Sequence, residues 1–237
     1  IIYFRMTKKP YNVLFVDSVS DIGGAEISMI LFLKYLNRDL FNPIVIIPGK
    51  GPLYNKIEEL GIEVITMNLT KITMPFPLGY IKTVWQLIRF INKNKIALVV
   101  CHMDNCNQYA LPAARINRIP IVVHTRNLIL DFRSFWRTFL HFPDVLIANS
   151  KATADSYIPF IRKHQKVKVV YNGIDLEEYS PSTNCNQIRK KYVINNEKFL
   201  IGVIARISRP KRQDVFIKAM AEVVKICPDI FAFIVGE

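Results

Sequence analysis

Cysteine is scarce in this chain: Cys101, Cys106, Cys185 and Cys227 are its four cysteines, and no two of them form a CxxC pair. That excludes a disulfide scaffold and fits a reducing compartment. Glycine (9) and proline (13) are too few for a collagen-like or low-complexity chain. No run of about eighteen uncharged apolar residues occurs, which excludes a membrane-spanning helix. The first ten residues carry basic side chains but no apolar stretch ending in a small-residue cleavage site, so secretion is not expected. Acidic residues are also few, 19 against 32 Lys and Arg, a net charge of +13. The excess is spread along the chain, +8 over residues 1–180 and +5 over 181–237. A diffuse basic surface favours some polyanion, whether nucleotide phosphate, anionic lipid or nucleic acid.

Hydrophobic residues make up 51% of the 237 positions, enough for one large domain or for one domain and part of another. Short β-branched runs alternate with longer helical patterns, the signature of a parallel α/β sheet covered by helices. Strands are expected at 12–17, 43–48, 63–67, 96–102, 120–124, 145–149 and 167–171, each nearly all apolar, as burial on both faces requires. Ile81, Val84, Trp85, Ile88 and Ile91 recur at the helical period, with Lys82, Gln86, Arg89 and Lys93 on the other side, so this segment is an amphipathic helix. Around Asn172–Pro181 an Asn-Gly turn, an acidic turn and Ser-Pro mark a linker. The expected organisation is an extension (1–11), an N-terminal Rossmann-like domain (12–171), a linker (172–184) and the start of a second Rossmann-like domain (185–237). In the second, helix 186–192, strand 199–204, a helix from Lys211 to Cys227 begun by Pro210, and strand 231–235 are expected. Two strands cannot bury both faces of a sheet, so the second domain reads as incomplete.

Several strand ends could carry chemistry. Asp17 leads through Gly23-Gly24-Ala25-Glu26 into a helix at 25–37. A strand, a glycine turn and a helix N-terminus make an anion site, and adjacent glycines let a phosphate or sugar approach the backbone. The pattern is neither GxGxxG nor a Walker A loop. His102 and His124 each end a strand, at the edge where ligands bind in such folds. His124 sits with Arg126 and Asn127 and is the functional candidate, whereas His102 reads as a histidine satisfied by backbone. Cys101, His102, Asp104 and Cys106 lack a second ligand pair, so no metal site is expected. Phe132, Phe135, Trp136, Phe139 and Leu140 share a helix face beside Arg133, Arg137 and His141. That face reads as core, with a membrane interface as the alternative. Arg206 at a strand end, with Arg209, Lys211 and Arg212 at the next helix, suits a diphosphate.

In their order these residues resemble glycosyltransferase family 4, retaining nucleotide-sugar enzymes of the two-domain GT-B fold. The carriers are Gly23-Gly24-Ala25-Glu26, Val122-Val123-His124-Thr125-Arg126, Leu146-Ile147-Ala148-Asn149-Ser150, Tyr171-Asn172-Gly173-Ile174-Asp175 with Tyr179-Ser180-Pro181, Ala205-Arg206 through Lys211 to Asp214, and Phe233 to Glu237. The resemblance runs from Asn12 to Glu237, about three fifths of such a protein. It implies that Arg206 and Lys211 grip the donor diphosphate, that Gly23 and Gly24 lie under the phosphates and sugar, and that His124 touches the sugar near the reacting carbon. Glu26, Arg126, Asn127 and Asn172 are further substrate contacts in this reading. The implied donor is a nucleotide-diphosphate sugar, the acceptor a glycan or lipid-linked glycan, with no obligatory metal and no nucleic-acid partner. Ala205 stands where the family usually has glycine, and the Glu-x7-Glu segment lies beyond Glu237, so the chain by itself is expected to be inactive. A cytoplasmic location, peripheral on an anionic membrane, follows as an expectation from the implied acceptor and the basic, aromatic surface. The alternatives are a GT-B nucleotide-sugar epimerase, a basic binding module or a non-catalytic remnant.

Overall fold

A computed structural model of the chain describes residues 9–70, 78–129, 143–161, 166–179 and 186–236. The chain divides into two compact units, Ile1–Asp175 and Leu176–Glu237. The aromatic stripe 132–140 with Arg133, Arg137 and His141 lies outside the described residues.

The first unit is a seven-stranded parallel sheet in the order β3-β2-β1-β4-β5-β6-β7. Its strands are β1 (Tyr11–Val16), β2 (Phe41–Ile47), β3 (Glu63–Thr66), β4 (Leu98–Cys101), β5 (Ile121–Thr125), β6 (Val145–Ala148) and β7 (Lys166–Val169). Each lies within two residues of its expected span. Helices α1 (Gly24–Lys34), α2 (Pro52–Glu59), α3 (Leu78–Lys93), α4 (Asn107–Ile116) and α5 (Lys151–Tyr157) connect them. Alternate side chains of β1 and β2 point to opposite faces. Leu14, Val16, Ile44 and Ile46 join Leu87, Ile91 and Tyr109 in one buried cluster, while Val13, Phe15, Val45 and Ile47 join Met29, Leu33, Leu53 and Ile57 in the other. The chain builds outward from β1 to β3, then returns so that β4 pairs with the free side of β1. This reversal opens a crevice at the carboxyl ends of β1 and β4.

Helix α3 departs from its expected pattern. Its buried residues are Thr83, Leu87 and Ile91. Thr83 Oγ1 contacts the Asn68 and Gly79 carbonyls and accepts from the Thr70 N–H, which lets this polar residue take a place on the inward face. Val84 and Ile88 are half-buried, whereas Ile81 and Trp85 remain 55% and 53% exposed. The helix thus carries more apolar surface than the core takes up.

The second unit contains α6 (Asn186–Lys191), β8 (Phe199–Ile204), α7 (Gln213–Ile226) and β9 (Ile230–Val235), with β8 and β9 parallel. The expectation that Pro210 and Lys211 begin the long helix is corrected. Arg209–Lys211 form a separate 3-10 turn, and Arg212 adopts a left-handed conformation (φ 52°) that breaks helical continuity before Gln213. Gly236 allows β9 to end against β8, since a Cβ there would lie 1.9 Å from the Ala205 carbonyl oxygen.

The loop after β1 is braced from behind. Leu53 N–H donates to the Ser20 carbonyl (3.0 Å), and a Cβ on Gly51 would stand 2.7 Å from that same oxygen. Gly51→Ala must push the loop or α2 aside, at a cost of ~1–3 kcal/mol. Thermal unfolding is expected to show a Tm several degrees below wild type, and an unchanged Tm would contradict this packing.

Candidate functional site

At the end of β1, Asp17 is fully buried. Its Oδ1 accepts from the N–H groups of Ser18 (2.6 Å) and Val19 (3.3 Å), which fixes the start of the loop, while Oδ2 has no partner. Burial, and next the nearby Glu26 carboxylate, push the Asp17 pKa up to about 7. Gly23 is extended, and its N–H donates to Glu26 Oε2 (2.8 Å), so the first turn of α1 is closed by its own carboxylate. A Cβ on Gly24 would meet nothing within 4 Å, so the helix start faces open space.

Two imidazoles stand beside this turn. His102, which follows β4, is buried, and its Nε2 lies 2.7 Å from the Ala25 carbonyl oxygen. A carbonyl can only accept, so Nε2 carries the proton and Nδ1 is the acceptor. His102 is thus satisfied by backbone, as its sequence context suggested. His124, on β5, stacks obliquely on it, ring centroids 5.7 Å apart. Burial first, and then the Arg126 guanidinium, lower the two pKa values to about 3 and about 4, so both rings are neutral at pH 7. Thr125 hydrogen-bonds Tyr157, which in turn donates to Asp104 Oδ2 (3.2 Å), pinning the end of β5.

Arg126 is half-buried and held by neutral oxygens. Nη1 donates to Asn172 Oδ1 (2.8 Å) and Nη2 to Ser28 Oγ (3.3 Å), while Nε is buried with no partner. The segment carrying Asn172 is tied down on α1, because Asp175 Oδ2 accepts from Lys34 Nζ (2.7 Å) and the Tyr35 hydroxyl (3.3 Å). A cavity of about 360 Å³ opens here, lined by Ser28, His102, His124, Arg126 and Asn172 together with apolar Met29, Phe32 and Ile174.

The fold therefore gathers Gly23, Glu26, His124, Arg126 and Asn172 at one sheet edge. Asn127 is exposed and lies outside the cavity lining. Arg206 and Lys211 belong to the second unit, where both are exposed at the carboxyl end of β8. The Arg206 carbonyl accepts from Gln213 Nε2 (2.9 Å), which ties the end of β8 to the start of α7. Arg212, expected to add charge beside a diphosphate, is instead paired with Asp214 (3.0 Å and 3.2 Å), its geometry set by the left-handed backbone. Sequence reasoning passed over Asp17 and Ser28. The burial of Asp17 was signalled by its place at the end of an apolar run, but nothing in the sequence aligns Ser28 with Arg126. Among the described residues no group of three His, Cys, Asp or Glu side chains is placed to hold a metal ion.

Residues 22–178, about two thirds of the chain, match the family model described as Glycosyltransferase Family 4. The chain belongs to glycosyltransferase family 4. It is 20% identical, over 98% of its length and 64% of the relative's, to the UDP-Gal:alpha-D-GlcNAc-diphosphoundecaprenol alpha-1,3-galactosyltransferase of Escherichia coli. It is 22% identical, over 81% of its length and 57% of the relative's, to the capsular polysaccharide biosynthesis glycosyltransferase CapH of Staphylococcus aureus. Among solved structures, Anabaena HepE in complex with UDP-glucose superposes with a TM-score of 0.73 at 24% identity, covering 94% of this chain and 60% of that one. The chain spans about three fifths of the length of these relatives.

The buried Asp17 gives this edge a pH signature. Its folded pKa lies above the ordinary carboxylate value of 3.8, so the folded state binds the extra proton and stability falls as pH rises towards 7. Asp17→Asn keeps the acceptor for Ser18 and Val19 and removes that slope, up to about 1.4 kcal/mol per pH unit. Denaturant unfolding between pH 4.5 and 8 is expected to show the variant gaining on wild type as pH rises. Parallel curves would contradict an elevated Asp17.

Proposed function

We propose that the protein containing this chain transfers a hexose, with retention, from a nucleotide-diphosphate sugar to a glycan or lipid-diphosphate-linked glycan in cell-surface polysaccharide synthesis. The observation that carries the reading is the neutral His124 beside Arg126 at the open end of β5. A neutral imidazole can exchange hydrogen bonds with a sugar hydroxyl without adding charge at the reacting carbon. Family membership supports the rest: the E. coli relative is named for a UDP-Gal donor and a diphosphoundecaprenol acceptor, and the S. aureus relative for capsular polysaccharide.

In this mechanism Arg206 and Lys211 bind the donor diphosphate and Gly23 and Gly24 leave room beneath the phosphates and sugar. The bond from the anomeric carbon to the diphosphate oxygen breaks, and the two cations stabilise the negative charge that develops there. A divalent ion is not required for that task. The acceptor hydroxyl oxygen then bonds on the face the diphosphate leaves, which is what retention means, and its proton passes to the departing diphosphate oxygen. Glu26, Arg126, Asn127 and Asn172 are proposed substrate contacts. Residues 12–171 are proposed as the acceptor domain, joined by a linker (172–184) to the donor domain that begins at 185. A cytoplasmic site of action, peripheral to an anionic membrane, follows from a lipid-linked acceptor.

An epimerase on the same fold would need free acid and base carboxylates near the sugar. At this edge Glu26 is engaged by the Gly23 N–H and Asp17 is fully buried, which favours transfer. Transfer assays on the full-length protein test the proposal. His124→Ala is expected to lower kcat by about a hundredfold with little change in KM for the donor. Arg206→Ala with Lys211→Ala is expected to weaken the donor and slow transfer together. Wild-type turnover with an inverted product, or full activity of His124→Ala, would overturn the assignment.

A further inference from the structure

The outward face of α3 is left apolar and basic at once. Leu78, Ile81 and Trp85, at spacings of three and four, are 73%, 55% and 53% exposed. Lys82, Arg89 and Lys93 stand exposed on the same face, and the Arg89 guanidinium lies 4.5 Å from the centre of the Trp85 ring. Asn117, after α4, donates to the Ile88 carbonyl (3.3 Å), which brings Ile116 (63% exposed) and Arg118 alongside. The inward face, by contrast, is fully engaged with the core through Thr83, Leu87 and Ile91.

The segment that carries this face has charge of one sign. Between Glu63 and Asp104 the sequence holds no acidic residue and five basic ones: Lys71, Lys82, Arg89, Lys93 and Lys95. Asp104 is itself buried, and no further acid follows it before Asp131. A protein partner of ordinary mixed charge does not call for forty residues without a carboxylate. A surface dense in fixed negative charge does, and exposed Leu78 and Ile81 add the aliphatic contact that free polyanions such as nucleic acid do not reward.

We propose that the outward face of α3 is a docking surface for an anionic lipid bilayer. Trp85, Ile81 and Leu78 enter the boundary between headgroups and acyl chains, while Lys82, Arg89 and Lys93 meet lipid phosphates and carboxylates. The surface gives a location to the membrane contact included in the functional proposal. It does not depend on the transfer chemistry, so an inactive enzyme that binds vesicles, or an active one that does not, separates the two.

The test is partition of the full-length protein onto phosphatidylcholine vesicles with and without phosphatidylglycerol. With Trp136 and every tryptophan outside this chain replaced by phenylalanine, Trp85 is the sole tryptophan of the full-length protein. Emission from Trp85 is expected to shift to the blue on phosphatidylglycerol vesicles and to be quenched by bromine-labelled acyl chains, with little change on phosphatidylcholine alone. Lys82→Glu with Arg89→Glu is expected to lower partition by at least about tenfold. These positions are exposed, so circular dichroism and Tm should stay as in wild type. Arg133→Glu with Arg137→Glu is the comparison, expected to have the smaller effect. The proposal fails if Trp85 emission is unmoved by anionic vesicles, or if charge reversal on α3 leaves partition intact. It also fails if Trp85→Ser dissolves a dimer in sedimentation velocity, because the face would then belong to a second copy of the chain.

Discussion

The positive charge of Arg126 is held by neutral oxygens rather than by a carboxylate, and the rest of the strand edge depends on that arrangement. Asn172 and Ser28 accept from its terminal nitrogens, so the charge is fixed in place without being cancelled. Burial has already made protonation of His102 and His124 costly, and the guanidinium adds to that cost. Asp17 and Glu26 supply counter-charge from the β1 side, where Glu26 is engaged by the turn it closes. The result is an edge that offers one fixed cation and two neutral rings to whatever enters the crevice.

That arrangement needs several elements at once. The reversal of strand order puts the ends of β1 and β4 next to each other, and β5 follows on the far side of β4. Helix α1 contributes Ser28 and the Ala25 carbonyl, and the segment after β7 returns Asn172 to the same place. Lys34 and Tyr35 hold that return through Asp175. A cleft assembled from three strand ends, one helix and one return segment is preorganised because each part is fixed by core packing elsewhere.

The sheet was readable in the sequence because its strands are buried on both faces, so each appears as an unbroken apolar run between turns. His124, Arg126 and the glycine turn were readable because they stand at the ends of those runs. Three features were not. Ser28 matters through the register of α1 against Arg126 and Asn172, 98 and 144 residues away. The start of α7 was misread because Pro210 and Lys211 have good helix-start chemistry, and only the left-handed Arg212 shows that their turn is separate. The α3 stripe was read as one apolar side, but Thr83 rather than Trp85 joins Leu87 and Ile91 on the buried face, through hydrogen bonds that periodicity does not see.

The central claim, a neutral imidazole poised at the end of β5 for a sugar, is tested most directly by nuclear magnetic resonance of the His102 and His124 side chains of the full-length protein across pH, with and without a nucleotide-diphosphate sugar. The account predicts two rings that stay neutral well below pH 6, one of them with its proton on Nε2. The other, His124, should shift when the donor is added. Titration of both His102 and His124 near 6.5, or a His124 signal indifferent to donor under saturating conditions, would contradict it.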